Sequence, residues 1–229
     1  MNLNDLHRRL LRDVLEIGNA LPFVITGGYA VQAHGLVDRL SQDIDVATAS
    51  FQPMEEIAAM LAAGLVERGW QVHVIGVEPV SARLMVTDPE LAEECEVDVL
   101  KEAFNQPPDE TPYGPVLAFE DVIGTKMRAL AGRGYPRDLI DIRAAAHFRS
   151  LAELESLGRT HAWDEFSLEE LAARLDHAEW YEDEAFAAYG RTPEEIADIR
   201  HWARAWADDI RRRLFTENLA EESAEDGWP

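Results

Sequence analysis

A single cysteine, Cys95, leaves the chain unable to form an internal disulfide, and a cysteine-based zinc site would need more thiols than it has. Apolar runs are short as well. The longest, residues 57–66, falls far below the roughly 20 residues of a membrane-spanning helix, so no span is expected. The opening MNLNDLHRRLLRDVLE carries charges where a signal peptide would hold its apolar region, and a cytoplasmic setting is the expectation. Positive charge is scarce: 21 Lys and Arg stand against 44 Asp and Glu, a formal net charge of −23. That balance excludes a general nucleic-acid binder, which needs a positive surface to displace counterions from phosphates. His34, His73, His147, His161, His177 and His201 show no metal-ligand spacing and read as core or surface residues. No Ser-centred elbow is present, and Ser41 has no His and Asp in a recognisable partner order, which excludes a hydrolase triad.

The deficit of cations has one local exception. Residues 126–149 hold one Lys and five Arg (Arg128, Arg133, Arg137, Arg143 and Arg149) against only Asp138 and Asp141. A nucleic-acid end could dock there, or the stretch could be a helix with a basic solvated face. With 47% hydrophobic and 28% charged residues, the 229-residue chain can bury a sizeable core, as one large domain or as a domain with a helical appendage.

The appendage is the better fit to the pattern along the chain. Residues 3–19 carry apolar side chains at helical spacing behind Asn4, a natural cap. Residues 23–26 form a short β-rich run that stops at Gly27-Gly28; a helical stretch follows over 29–34 and a strand over 43–48. Pro53 opens an amphipathic helix ending near Gly69, and three β-type runs cover 71–75, 82–87 and 96–100, for about five strands in all. Residues 105–115, rich in proline, read as an irregular connector, after which 119–130 and 137–148 are helical. Beyond about residue 150 the β-type runs disappear. Ser167-Leu-Glu-Glu170 and Thr192-Pro-Glu-Glu195 are capping boxes, the second opening a helix to about Phe215. Trp163, Trp180, Trp202 and Trp206 read as an aromatic packing core of this region. The expected domains are a mixed α+β domain over 1–150, a helical module over 151–216, and a solvated acidic tail over 217–229.

Asp43 and Asp45, two apart on a strand, point to one face with Cα atoms roughly 6.6 Å apart. Like charges so placed on an interior strand call for a counterion, and oxygen ligands suit magnesium. A bare D-x-D is frequent by chance, and exposed aspartates at a strand end would look the same. The upstream glycine pair shifts the balance. Gly27 and Gly28 end a strand and open a helix, which lets backbone approach a ligand and offers free N–H groups to a phosphate. Fourteen residues before Asp43 suffice for a helix and a return loop that bring the two features to one cleft. Asp98, in a third strand, is a candidate third metal ligand or general base, with Glu94 and Glu96 as competitors. Lys126 is one of only two lysines, with Lys101, against nineteen arginines, and its compact ammonium suits a phosphate.

Residues 25–31 (ITGGYAV), 39–46 (RLSQDIDV), 126–130 (KMRAL) and 137–142 (RDLIDI) together resemble the AbiEii/AbiGii family. These are nucleotidyltransferase toxins of abortive-infection and toxin–antitoxin systems, the mycobacterial MenT group among them. The resemblance implies a DNA polymerase β-like nucleotidyltransferase fold, a mixed sheet flanked by helices, and transfer of a nucleoside monophosphate from an NTP with release of pyrophosphate. A tRNA 3′ end is the implied acceptor, a cognate antitoxin an implied partner, and Mg²⁺ or Mn²⁺ the implied cofactor. By position it assigns nucleotide binding to Gly27, Gly28 and Ser41, metal binding to Asp43 and Asp45, and phosphate contact to Lys126. Asp138 would be a further active-site residue, with Asp141 as its alternative; Tyr29 stands where a small or hydroxyl residue often follows the glycines. Two rival functions remain compatible: a small-molecule nucleotidyltransferase of the aminoglycoside type, which an acidic surface would suit, and an inactive nucleotidyltransferase-fold binding protein.

Overall fold

A computed structural model describes residues 1–38, 41–162 and 166–225, the side chains of 219–225 excepted. Arg39 and Leu40 of the second motif, Trp163 and the last four residues of the acidic tail therefore lie outside the described residues. The chain divides into two units, Met1–Val122 and Ile123–Pro229.

The first unit opens with α1 (Asp5–Ile17), capped as its sequence asks: the Asn4 side chain accepts from the His7 N–H at 2.7 Å. After it come β1 (Val24–Ile25), α2 (Gly27–Ala33), β2 (Asp43–Thr48) and α3 (Met54–Glu67). The meander β3 (Gln71–Glu78), β4 (Ser81–Asp88) and β5 (Glu93–Lys101) follows, then β6 (Asp109–Thr111) and β7 (Gly114–Val116). These make one mixed seven-stranded sheet in the order β3-β4-β5-β2-β1-β7-β6. The expected five strands are all present, and the two extra ones come from the segment read as an irregular connector. Its prolines masked a hairpin that turns over residues 112–113 and enters β7 at Gly114, whose φ of +122° is open to glycine. Pro115, which cannot donate to a ladder, is tolerated in β7, which meets β1 through a single parallel register pair, Ile25↔Val116.

β2 and β5 are parallel, joined by the long crossover through α3, β3 and β4. Alternate residues of the central strands (Ile44, Val46, Leu84, Val86, Val97 and Val99) enter a core shared with Leu10, Val14, Ile57 and Leu61. Each such side chain stabilises by roughly 1.5–3 kcal/mol when fully buried. Cys95 lies on this buried side. Burial, reinforced by the negative charge of Asp43, pushes its thiol up to about 12. The native protein is therefore expected to leave Ellman's reagent unconsumed at about pH 8 and to release one equivalent of thiolate reaction only in denaturant; fast reaction of the folded chain would contradict this.

The chain continues with α4 (Phe119–Gly132), in which the division between units falls, and then α5 (Pro136–Ala145), α6 (Leu151–Ala162), α7 (Leu168–Asp176), α8 (Asp183–Ala187) and α9 (Pro193–Glu225). Of the two expected capping boxes, Thr192 and Glu195 bond each other's backbone, while Ser167 accepts from the Glu170 N–H and turns its hydroxyl to Glu169. α6 opens on a further capping box, in which Ser150 and Glu153 bond each other's backbone, and α9 runs ten residues past Phe215 into the acidic stretch. The second unit buries Leu154, Leu171, Leu175, Phe186, Ala203, Trp206 and Ile210. Trp206 packs with Trp202, their ring centroids 5.2 Å apart, and donates to the buried Glu155 carboxylate at 2.9 Å. Trp180 departs from the expected aromatic core and is exposed. Among the described residues no helix is long and apolar enough to cross a membrane.

Candidate functional site

Antiparallel pairing of β1 with β2 is what carries the glycines to the aspartates. The Thr26 N–H donates to the Asp45 carbonyl at 3.0 Å, so the residue after it, Gly27, lands against the Asp45 side chain. Gly27 has φ +58°, and a Cβ built on it would overlap the Asp45 carboxylate. Glycine is required there for both its backbone conformation and the close approach. Along β2 the alternation sends Ile44 and Val46 inward, leaving Asp43 and Asp45 partly exposed on the other face. Ser41 donates its hydroxyl to Asp43 Oδ1 at 2.9 Å. Two carboxylates on one open face beside a side-chain-free backbone are hard oxygen donors that fit Mg²⁺ or Mn²⁺.

The parallel neighbour β5 adds a second row: Glu96 pairs with Asp43 and Asp98 with Asp45. From β4, Arg83 faces Asp98 and holds it bidentately, Nε to Oδ1 at 2.8 Å and Nη2 to Oδ2 at 2.7 Å, while its Nη1 lies 3.2 Å from Glu96. Asp98, and after it Glu96 and Asp43, hold the guanidinium even more firmly protonated than usual. Glu94, the other competitor, accepts from the Thr87 hydroxyl at 3.3 Å. Among the described residues no three His, Cys, Asp or Glu side chains stand together as a ready metal cage. Asp98 has the position expected of a third carboxylate, with both oxygens given to Arg83.

Tyr29, directly after the glycines, is buried and shares a hydrogen bond with Nδ1 of the equally buried His7 on α1; their rings meet edge to face at 5.8 Å. Burial lowers the His7 pKa, partly opposed by the charge of Asp43. As pH falls through the ordinary histidine value of about 6.5, the unfolded chain takes up a proton that the folded chain refuses, so stability is lost toward acid. The difference in melting temperature between wild type and His7→Asn should accordingly shrink from about pH 8 to about pH 5.5; a constant difference would speak against it. Neither His7 nor Arg83 stood out in the sequence. His7 was visible as a polar residue within the apolar stripe Leu3, Leu6, Leu10, Leu11. Arg83 required the β4–β5 register.

The second unit holds the remaining candidates. Lys126 on α4 pairs with Asp141 at 2.9 Å, both side chains largely buried. Asp138 does something else. It accepts from Arg133 at 2.9 and 3.0 Å and from the Tyr135 N–H at 3.2 Å, closing the first turn of α5 behind Pro136. Of the two alternatives, Asp141 is the one brought to Lys126. At least half of the cations of the locally basic stretch are paired with carboxylates. Lys126, Arg133 and Arg143 each have a carboxylate partner, Asp198 in the last case, and Arg128 donates to the His161 carbonyl.

Several solved structures share this fold, two of them as follows. JHP933 from Helicobacter pylori aligns with a TM-score of 0.51 at 16% identity over 98% of this chain and 100% of its own. MenT4, a nucleotidyltransferase toxin from Mycobacterium tuberculosis, aligns with a TM-score of 0.54 at 17% identity over 90% of this chain and 85% of its own. At these identities the likeness is one of fold. No curated protein sequence matches the chain. Residues 9–228 match the family described as nucleotidyl transferase AbiEii toxin, type IV TA system. Since that match spans nearly the whole sequence, the chain belongs to the AbiEii family of toxin–antitoxin nucleotidyltransferases and is a nucleotidyltransferase.

Proposed function

We propose that the chain transfers a nucleoside monophosphate from an NTP to a tRNA 3′ end, with Asp43 and Asp45 holding a divalent cation, Mg²⁺ or Mn²⁺. The observation that carries this reading is the contact of Gly27 with the Asp45 carboxylate, which leaves an approach free of side chains directly beside a cation ligand. A cation bound there neutralises charge on the triphosphate and on the transition state. The chain's own residues do the positioning. The backbone of Gly27 and Gly28 lies against the phosphates and Ser41 orients Asp43; the phosphate contact that the family motif assigns to Lys126 would cost that lysine its pairing with Asp141. The acceptor hydroxyl attacks the α-phosphorus, the bond to the β-phosphate oxygen breaks, and pyrophosphate leaves. Asp98 joins the cation ligands or takes the proton of that hydroxyl, in either case only on giving up Arg83. Asp138, fixed at the start of α5, supports Arg133 and Tyr135.

A small-molecule acceptor has one observation in its favour: the charge of −23, with at least three of the six cations of the basic stretch paired to carboxylates, suits a cationic acceptor such as an aminoglycoside. Each of the four NTPs, labelled at the α-phosphate, should be offered with total tRNA and separately with an aminoglycoside panel, with and without EDTA. EDTA-sensitive label in tRNA is expected. Label confined to the antibiotics would reassign the acceptor, and failure of Mg²⁺-dependent NTP binding by calorimetry would indicate an inert member of the family. As a toxin-family protein it is proposed to have a cognate antitoxin.

A further inference from the structure

Asp45, Asp98 and Arg83 form one row across three adjacent strands, β2, β5 and β4, on the open face of the sheet. The neighbouring row places Asp43 beside Glu96, so these two rows bring four carboxylates to the side of the sheet where Arg83 lies. Arg83 is not a casual surface partner. Its fork engages both oxygens of Asp98, whose side chain is only 13% exposed, and its third nitrogen reaches Glu96. A cation ligated by Asp45 and Asp98 together would need an Asp98 oxygen now turned to the guanidinium, and would sit beside a positive charge. Removing that charge would leave the four carboxylates more strongly attractive to any cation.

We propose that Arg83 is the built-in counter-ion of this site: it competes with the divalent cation for Asp98 and so sets the cation affinity of the empty enzyme. The inference rests on the reading of Asp43 and Asp45 as cation ligands. Arg83 thus keeps the third carboxylate in reserve, and loading of the cation and release of the salt bridge are one exchange. The opposite role, a scaffold that holds Asp98 in place as a ligand, makes the opposite prediction, because losing a scaffold weakens binding.

The test is Mn²⁺ titration of the full chain without nucleotide, read by electron paramagnetic resonance. Arg83→Gln should tighten binding about tenfold, and Arg83→Lys, which keeps the charge and loses the fork, by clearly less. In an Asp98→Asn background the Arg83→Gln gain should fall to about twofold or less, since the competition acts through Asp98. Unchanged or weaker binding in Arg83→Gln, with Arg83→Lys behaving alike, would overturn the proposal. So would a full gain persisting without Asp98. Asp43→Asn and Asp45→Asn separate the two levels. If wild type binds Mn²⁺ through those residues and Arg83→Gln binds no tighter, only the counter-ion role is lost. If neither wild type nor any variant binds, the cation-site reading falls with it.

Discussion

Asp45→Asn, and equally Asp43→Asn, should reduce nucleotidyl transfer by at least about a thousandfold, roughly 4 kcal/mol of transition-state stabilisation, while leaving the protein folded. The substitution is isosteric and keeps the backbone bond from Thr26 to the Asp45 carbonyl, so the β1–β2 pairing has no reason to change. What is lost is the negative oxygen ligand proposed to hold the triphosphate's cation. The stability readout gives the test its edge. Asp43 and Asp45 are partly exposed and stand beside Glu96 and Asp98, so an isosteric loss of one negative charge should change the melting temperature little. Transfer measured with α-labelled NTP and thermal melting of the same preparation decide the matter. Transfer within about tenfold of wild type would remove these residues from the mechanism, and a large loss of stability would make the activity result structural.

The second large effect is on stability. Lys126→Met should destabilise the fold by about 3 kcal/mol, because it leaves the almost fully buried Asp141 without its ammonium partner. The lower part of the usual range is expected, since Asp141 has other interactions in addition. For a chain of this size that corresponds to a melting temperature lower by roughly 6–12 °C. Adding Asp141→Asn should restore at least half of the loss, since an uncompensated buried charge, rather than a missing attraction, does most of the damage. The double variant also separates the two roles of Lys126. If the lysine contacts the triphosphate, stability returns while transfer stays low. Recovery of both would leave it a purely structural lysine, and urea unfolding beside the transfer assay tells these apart.

The parts of this protein written in local sequence were legible as sequence. Asn4 and the Leu-rich spacing behind it define α1, the alternation over 43–48 defines β2 with both aspartates on one face, and Thr192 with Glu195 starts α9. Each depends on hydrogen bonds and side-chain periodicity within a few residues, which a single sequence displays directly. Even there local signals competed. The prolines around 107–115 hid the β6–β7 hairpin, and helix formation carried α9 past Phe215 into a stretch whose acidity alone suggested solvated chain.

The feature most plainly written in the sequence, glycine pair followed by Asp-x-Asp, singled out the residues proposed to carry the chemistry, and the match over residues 9–228 agrees with the family those motifs resemble. Tertiary structure decided their company. Asp98 stands beside Asp45 because the α3–β3–β4 crossover returns β5 parallel to β2, and a shift of one residue in that register would turn Asp98 to the core side. Arg83 reaches Asp98 only through the β4–β5 pairing, His7 meets Tyr29 only when α1 packs near α2, and Lys126 takes Asp141 in preference to Asp138 because Arg133 and the start of α5 already hold the latter. Sequence determines which groups can ligate, donate or cap. Which of them meet is set by strand register and helix packing, since those contacts join residues far apart in the chain whose pairing no local periodicity encodes.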